Sequence, residues 1–326
     1  MSALHLPVMV DEVVDVLRPI PPGVIVDATV GAGGHSRALL EALPGSTLLG
    51  IDRDSDALAE AASTLAPFGD RVTLAHARFD SLAEVVRSRG VTEHGHERVA
   101  GVLFDLGVSS MQLDRPDRGF SYRSDAPLDM RMDRSQPTSA RDVVNGYDAR
   151  RLGQVIATFG GERFAGRIAR AIVAARPIDT TDHLAAVVRD AIPAPARRRG
   201  GDPARRTFQA LRIEVNTELA AIAPALDQAL DLLVPGGRVA VLAYHSGEDR
   251  IVKERFMLAA TGGCTCPPQL PCVCGAVPTV RLVWRGTHKP SATEVEANRR
   301  AESARLRAVE KLPTRNVANR NAAVTT

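Results

Sequence analysis

The chain has 326 residues, of which 44% are hydrophobic and 24% charged, the balance of a soluble globular protein with room for one large domain or two. No apolar run approaches a membrane span and the N-terminus has no signal-peptide pattern, so the chain is expected in the cytoplasm with no membrane partner. The net charge of +3 is too small to imply a nucleic-acid partner by itself.

Met9 to Leu17 alternates apolar and acidic residues at helical spacing and stops at Arg18-Pro19, which predicts a short helix. Val24 to Val26 are β-branched and apolar, as suits a strand buried on both faces. Asp27 ends that run, and Gly31, Gly33 and Gly34 follow closely. Arg37 to Leu43 then sets Leu39, Leu40 and Leu43 on one side of a helix. Strand, glycine turn and helix open a nucleotide-binding α/β sheet, and glycine lets the backbone turn sharply and a ligand come close. Ser46 to Asp52 reads as a second strand ending in an acid, one βα unit on, where a carboxylate takes ribose hydroxyls. Val72 to Asp80 holds a third strand with Phe79 just past its end, placed to flank an adenine or to pack the core. Val99 to Asp105 is a fourth strand, again ending in an acid. All four ends fall on the carboxyl edge of one sheet, where open α/β folds bind ligands.

The loop also indicates which ligand. A dinucleotide turn reads G-x-G-x-x-G or G-x-G-x-x-A, whereas here Ser36 follows Gly31 and Gly33 in the third place. Asp27 would oppose a pyrophosphate and would suit the ammonium end of S-adenosylmethionine. A methyl-donor site is the favoured reading, and an NAD-dependent dehydrogenase is the alternative.

Gly90 to Arg98 is polar and reads as a loop. From Leu106 to Asp133 no helical or strand period holds, and the stretch is dense in Arg, Phe, Tyr and Asp. A long ordered loop in a compact domain is usually functional, and these groups can grip a base. Residues 139–214 read as an inserted helical unit, with Thr138, Asp148 and Asp182 as N-cap candidates. Between Arg141 and Val215 there are 14 Arg and 8 acids, a surplus of +6 that makes a reasonable RNA footprint. Arg197, Arg198 and Arg199 form a basic turn inside it. The sheet resumes with a helix from Leu219 to Leu233 and a strand from Arg238 to Tyr244. His245 follows on the ligand edge, with a hydrogen-bonded structural role favoured over a catalytic one. A helix from Asp249 to Leu258 and a strand from Val280 to Trp284 come next. Arg299 to Leu312 reads as a charged helical tail, and 313–326 as disordered. Cys264, Cys266, Cys272 and Cys274 suggest a zinc knuckle, but C-x-C is tighter than the usual spacing, so no metal is assigned from sequence.

Several of these segments together resemble one family. They are Asp27 to Ser36, Asp105 to Ser110 with Gln112-Leu113-Asp114, Arg118-Gly119-Phe120-Ser121, and Pro127 to Asp133. His245-Ser246 with Glu248 to Lys253, and Asn298 to Arg307, complete the set. The chain is similar, from about His5 to Leu312, to the RsmH (MraW) family of bacterial 16S rRNA cytidine-N4 methyltransferases. The resemblance implies an α/β class I S-adenosylmethionine-dependent methyltransferase, Rossmann-like, with a mostly parallel sheet and an inserted all-helical domain. The implied layout is a methyltransferase domain in two parts, 1–138 and 215–312, around a basic RNA-binding insertion at 139–214. It implies methyl transfer to N4 of a cytidine in the decoding centre of 16S rRNA, near the P site and within the 30S subunit. Family donor contacts carry over to Gly33, Gly34, His35, Asp52, Phe79, Asp105 and Gln112. Gly247 departs from the Leu usual in the family, which loosens the backbone there.

The acceptor contact is left open by the motifs. Many amino-methyltransferases present an acid or amide, two prolines and an aromatic, whereas this chain has Asp105-Leu106-Gly107-Val108. Asp105 or Asp129 is the candidate partner of N4. Phe120 or Tyr122 would stack on the extruded base, with packing of the loop as the alternative. Arg118, Arg131, Arg197, Arg198 and Arg199 complete the expected RNA contacts. A non-catalytic RNA-binding assembly factor is the second alternative, and the intact donor loop argues against it.

Overall fold

The structure is a computed structural model that describes residues 7–89, 92–93, 96–97, 99–197, 202–267, 269 and 273–313. The chain divides into two compact units, one of Met1–Asp52, Ala61–Leu106 and Ile222–Thr326, the other of Arg53–Glu60 and Gly107–Ala221.

The first unit is built on a seven-stranded sheet. Its strands are β1 (Val24–Asp27), β2 (Thr47–Asp52), β3 (Val72–His76), β4 (Val99–Asp105), β5 (Leu233–Ala243), β6 (Val280–Leu282) and β7 (Arg305–Lys311). They lie in the order β3-β2-β1-β4-β5-β7-β6. The first five pair in parallel, while β7 runs antiparallel to both β5 and β6. This is the class I methyltransferase sheet that the resemblance implies. Parallel strands need both faces covered, and Ile25, Val26, Val102, Leu103 and Phe104 are all buried. At Gly50 in β2 a Cβ would lie 2.7 Å from Leu74 and 3.0 Å from Val30, so any larger residue there would make those side chains shift.

The C-terminal segment corrects the sequence reading. Arg299–Ser303 is a short 3₁₀ turn and Arg305–Lys311 is a strand, not a helix. Leu306 and Ala308 alternate with half-exposed Arg305 and Arg307, a period of two. Pairing with β5 sets Arg238 opposite Glu310, whose carboxylate also accepts from Arg281 on β6. The density of charge that suggested a helix is a cross-strand ion cluster. In the polar stretch read as a loop, Thr92–Glu93 and His96–Glu97 pair as a two-residue antiparallel ribbon.

The second unit is helical. Its longer helices span Ala140–Gly146, Ala149–Gly160, Ala165–Ala174, Thr181–Ala191 and Ala204–Asn216. Asp148 caps the second of them as expected. Ser139 and Thr180, rather than Thr138 and Asp182, cap the first and fourth. Ser139 succeeds because Asp142 stands three residues on and completes a reciprocal capping box. The unit that holds these helices also takes in 107–138. Within it Ser110–Asp114 forms one short helix and Pro116–Arg118 a 3₁₀ turn. Phe120, Leu128, Met130 and Met132 enter the same core as Val143, Ile168, Leu184 and Phe208.

One buried cation holds this long segment. Arg118 is 1% exposed and sets its Nη2 2.8 Å from an Asp54 carboxylate oxygen. The same nitrogen donates to the carbonyls of Arg131 and Met132, each at 3.0 Å. Gly119 follows at φ +71°, where a Cβ would lie 2.3 Å from the Pro127 carbonyl oxygen, so no other residue fits. Asn216 closes the other side, accepting from the Met132 N–H and donating to the Met130 carbonyl. Arg118→Met removes the cation and leaves a buried carboxylate behind. It should cost about 3–5 kcal/mol, the usual penalty for breaking a buried pair, and Asp54→Asn in the same chain should recover part of it. Chemical denaturation followed by circular dichroism checks both outcomes.

Candidate functional site

The glycine turn leaves β1 as the sequence reading requires. Gly31 and Gly33 have φ of +52° and +86°, a region that L side chains avoid. Gly34 starts the helix Gly34–Ala42, and a Cβ there would lie 2.5 Å from Pro7, so its glycine is needed for packing. Asp52, at the end of β2, accepts the Gly31 N–H at 2.9 Å and so fixes the shape of the turn. Asp27 is buried, accepting the Ser36 hydroxyl at 2.6 Å and the Thr29 N–H at 3.2 Å. Burial pushes its carboxyl up to about 6, against the opposing pull of the Ser36 hydrogen bond and His35.

Asp105 closes β4 at the same sheet edge. Its N–H donates to Thr29 Oγ1 at 2.6 Å, one carboxylate oxygen accepts the Tyr244 hydroxyl at 2.7 Å, and the other lies 3.5 Å from His35 Nδ1. Burial raises the Asp105 carboxyl above the ordinary range, while His35 and the Tyr244 hydroxyl pull the other way. The Tyr244 phenol is itself pushed well up by burial and by Asp105. His35 is anchored through Nε2, 2.8 Å from the Val8 carbonyl oxygen. His245 has the structural role that was favoured. It caps the helix Ser246–Thr261, with Nδ1 accepting from Gly247 and Glu248. Glu248, only 1% exposed, returns a carboxylate oxygen to the N–H groups of Tyr244 and His245. Sequence reasoning missed Tyr244 and Glu248. Their signal was position, since Tyr244 ends the strand beside Asp105 and Glu248 stands at the third residue of a capping box.

Phe79 lies in a 3₁₀ turn after β3, half-buried, with its ring edge-on to Phe104 at 6.0 Å. Gln112 belongs to the helical unit, where it completes a capping box with Ser109 and donates to Asp54 at 2.9 Å.

The expected RNA-contact residues fall in different surroundings. Arg118 is committed to the buried network described above. Phe120 is 7% exposed in the helical core, and Tyr122 packs edge-on to Phe208 at 5.7 Å. Phe120 packs the loop into the core and Tyr122 is half-buried against it, because the loop brings its own apolar groups to the helices. Asp129 and Arg131 pair with each other at 2.7 and 3.0 Å, and Arg131 also donates to the carbonyls of Arg134 and Gln136. The Arg131 guanidinium helps hold the Asp129 carboxyl below its usual range despite partial burial. Arg197 ends a short helix, Ala194–Arg197, and Arg198 and Arg199 lie outside the described residues. Among the described residues no helix is long and apolar enough to cross a membrane.

The model of the MraW methylase family matches residues 2–312. A ribosomal RNA small subunit methyltransferase H from Acidothermus cellulolyticus is 51% identical over 317 residues, 95% of this chain and 94% of that protein. The protein of the same name from Symbiobacterium thermophilum is 50% identical over 317 residues, 96% and 98% of the two chains. Among solved structures, an rRNA methylase from Streptococcus thermophilus aligns with a TM-score of 0.39 at 13% identity, over 93% of this chain and 94% of that one.

The buried Asp27 gives a pH signature. Its folded-state value of about 6 lies above the starting value of 3.8, so the folded chain holds this proton more tightly than the unfolded one. The stability it contributes is present below about pH 4 and is lost as pH rises through about 6. Asp27→Asn removes that loss. The melting temperature of the variant relative to wild type should rise by several degrees between about pH 4 and 7 and then level off. A difference that stays flat across this range, measured by scanning calorimetry, contradicts a raised Asp27 carboxyl.

Proposed function

This chain belongs to the MraW methylase family, and we propose that it methylates small-subunit ribosomal RNA from S-adenosylmethionine, at N4 of a cytidine in the decoding centre of 16S rRNA. The observation that carries the reading is the carboxyl edge of β1, β2 and β4, where a glycine turn, a ribose-type acid and a braced, half-buried acid stand together. A methylase family replaces the dehydrogenase alternative, and a donor edge of this kind has no use in a purely RNA-binding factor.

The residues present fit that donor. The positive-φ turn at Gly31 and Gly33 keeps side chains away from the amino-acid end. A carboxylate has about four lone-pair sites, so Asp52 can bond the Gly31 N–H and still accept from ribose hydroxyls. Phe79 offers an apolar flank for adenine. When bound, the donor supplies an electrophilic methyl group on a sulfonium.

The chain's task is then to aim a poor nucleophile, because the N4 lone pair is delocalised into the cytosine ring. Asp105, steadied by Tyr244 and His35, would accept a hydrogen bond from the amine and turn its lone pair towards the methyl carbon. Orientation of this kind supplies about 7–11 kcal/mol at best. As the N4–carbon bond forms, the carbon–sulfur bond breaks with its electron pair left on sulfur, and the now acidic N4 would pass one proton to water beside Asp105, which needs no strong base. With Asp129 tied to Arg131, Asp105 is the better of the two candidate acids.

RNA contact falls to the helical unit. Arg167 and Arg170 are exposed one turn apart on Ala165–Ala174, with exposed Arg163 just before it. They enter no ion pair among the described residues and can meet phosphates.

The deciding experiment supplies the purified protein with methyl-labelled S-adenosylmethionine and either 30S subunits or naked 16S rRNA from cells lacking the gene. Nuclease mapping by mass spectrometry should find one N4-methylcytidine in the P-site region. A methyl group on another atom or position overturns the finer reading, and no transfer to either substrate overturns the whole. Two variants separate the halves. Asp52→Asn can keep the Gly31 hydrogen bond but loses charge-assisted bonds to the ribose worth about 1.5–3 kcal/mol, so calorimetry should find S-adenosylmethionine bound at least ~10-fold more weakly. Arg167→Glu with Arg170→Glu should leave that affinity intact and weaken rRNA binding. The log–log salt slope of that binding should fall by about 0.7–0.9 for each phosphate the variant no longer neutralises.

A further inference from the structure

The proposed methyl transfer leaves one cluster of reactive side chains unused. The chain between the helix Ser246–Thr261 and β6 brings Cys264, Cys266 and Cys274 together, while Cys272 lies outside the described residues. Their sulfur atoms all lie within 4.8 Å of one another. We propose that Cys264, Cys266 and Cys274 bind a Zn²⁺ ion as thiolates, forming a structural site that holds this excursion of the chain together.

Geometry supports zinc. Cys264 and Cys274 Sγ atoms stand 3.6 Å apart. In a tetrahedral site with Zn–S bonds of about 2.3 Å, neighbouring sulfurs are about 3.8 Å apart, so this edge already has the required length. Soft thiolates select Zn²⁺ over harder divalent ions such as Mg²⁺ and Ca²⁺. The C-x-C spacing that withheld a metal from the sequence reading is no obstacle here, because the Cys264 and Cys266 sulfurs lie within 4.8 Å of each other.

The excursion also has a reason to need a staple. Val273 is 89% exposed and Val277 58%, so apolar burial does little to hold the segment. Its ends are nevertheless brought together by backbone contacts. The Thr279 N–H donates to the Ala259 carbonyl at 3.0 Å, and at Gly262 a Cβ would lie 2.5 Å from Val277 backbone. The loop is therefore closed before an ion arrives, which removes much of the entropic cost of gathering the ligands. Cys274 is exposed and the other two thiols are half-exposed, which gives an ion a way in. Each thiol releases its proton to solvent as it binds, so affinity should rise with pH.

The test uses the untagged full-length chain purified without chelators. Mass spectrometry of metal content should find one zinc per chain, and Cys264→Ser with Cys274→Ser should abolish it. After zinc removal, Co²⁺ titration of the wild-type chain should produce a sulfur-to-cobalt charge-transfer band and tetrahedral d–d bands, both erased by added Zn²⁺. This spectrum stands even where the double variant fails to fold. Hydrogen exchange should show slower exchange across 262–279 when Zn²⁺ is bound. A folded wild-type chain that carries no zinc and gives no charge-transfer band with Co²⁺ overturns the site. Zinc content unchanged in a folded double variant does the same, as does a Cys264–Cys274 disulfide in folded, metal-free protein.

Discussion

A carboxylate taken out of water must be given donors, and this demand sets the layout of the sheet's carboxyl edge. Asp27, Asp52 and Asp105 end three neighbouring strands, so their charges gather at one place. Each is supplied from a different source. Asp27 takes a hydroxyl and an N–H from the turn that follows it, Asp52 takes the Gly31 N–H across the turn, and Asp105 takes a phenol from the end of β5. The glycine turn therefore does two jobs. It leaves space for a ligand and also delivers the backbone N–H that fixes the ribose-type acid.

The helical unit answers the same demand with a cation. Asp54 sits beside Arg118, which bridges the 53–60 segment to the backbone of the loop that ends near Met132. The guanidinium is a planar fork with two terminal nitrogens, so while Nη2 meets Asp54 and the two carbonyls, Nη1 reaches the Asp56 carboxylate at 3.4 Å, a span that the single ammonium nitrogen of lysine lacks. The motif Arg118-Gly119-Phe120 thus works as a structural unit. Arginine braces, glycine lets the chain pass against the Pro127 carbonyl, and phenylalanine enters the core.

The sheet was legible because parallel strands buried on both faces leave continuous apolar runs, and each run here ended in an acid or a turn. The donor-edge residues were legible for the same reason, since chain order fixes which strand ends are neighbours once the fold class is known. The β7 strand was not. Arg305 to Lys311 has a period of two broken by Val309, and its strand state depends on pairing with β5 some sixty residues earlier. Tyr244 and Glu248 were hidden because their roles depend on partners brought together by the fold. The packing of Phe120 and Tyr122 against the helical core was left open by the sequence for a related reason. Aromatics in an aperiodic loop suit base stacking and core packing equally well, and the choice is made by helices far along the chain.

The arginine surplus shows how far a charge count carries. Between Arg141 and Val215 the sequence has six more arginines than acids, but folding commits many of these side chains. Arg141 pairs with Asp179, Arg189 with Asp202 and Arg212 with Glu218, while Arg176 donates to the carbonyls of Val144 and Tyr147. Arg151 lies over the Tyr147 ring and near Glu214. Such pairs cancel the field that a distant phosphate would feel. The cations left facing outward on Ala165–Ala174 keep theirs, because Ile168, Ala169 and Ile172 turn the opposite face of that helix into the core. The same amphipathic spacing that buries the apolar side of the helix sets Arg167 and Arg170 one turn apart on its outer side, so the packed face and the exposed pair of cations follow from one sequence period.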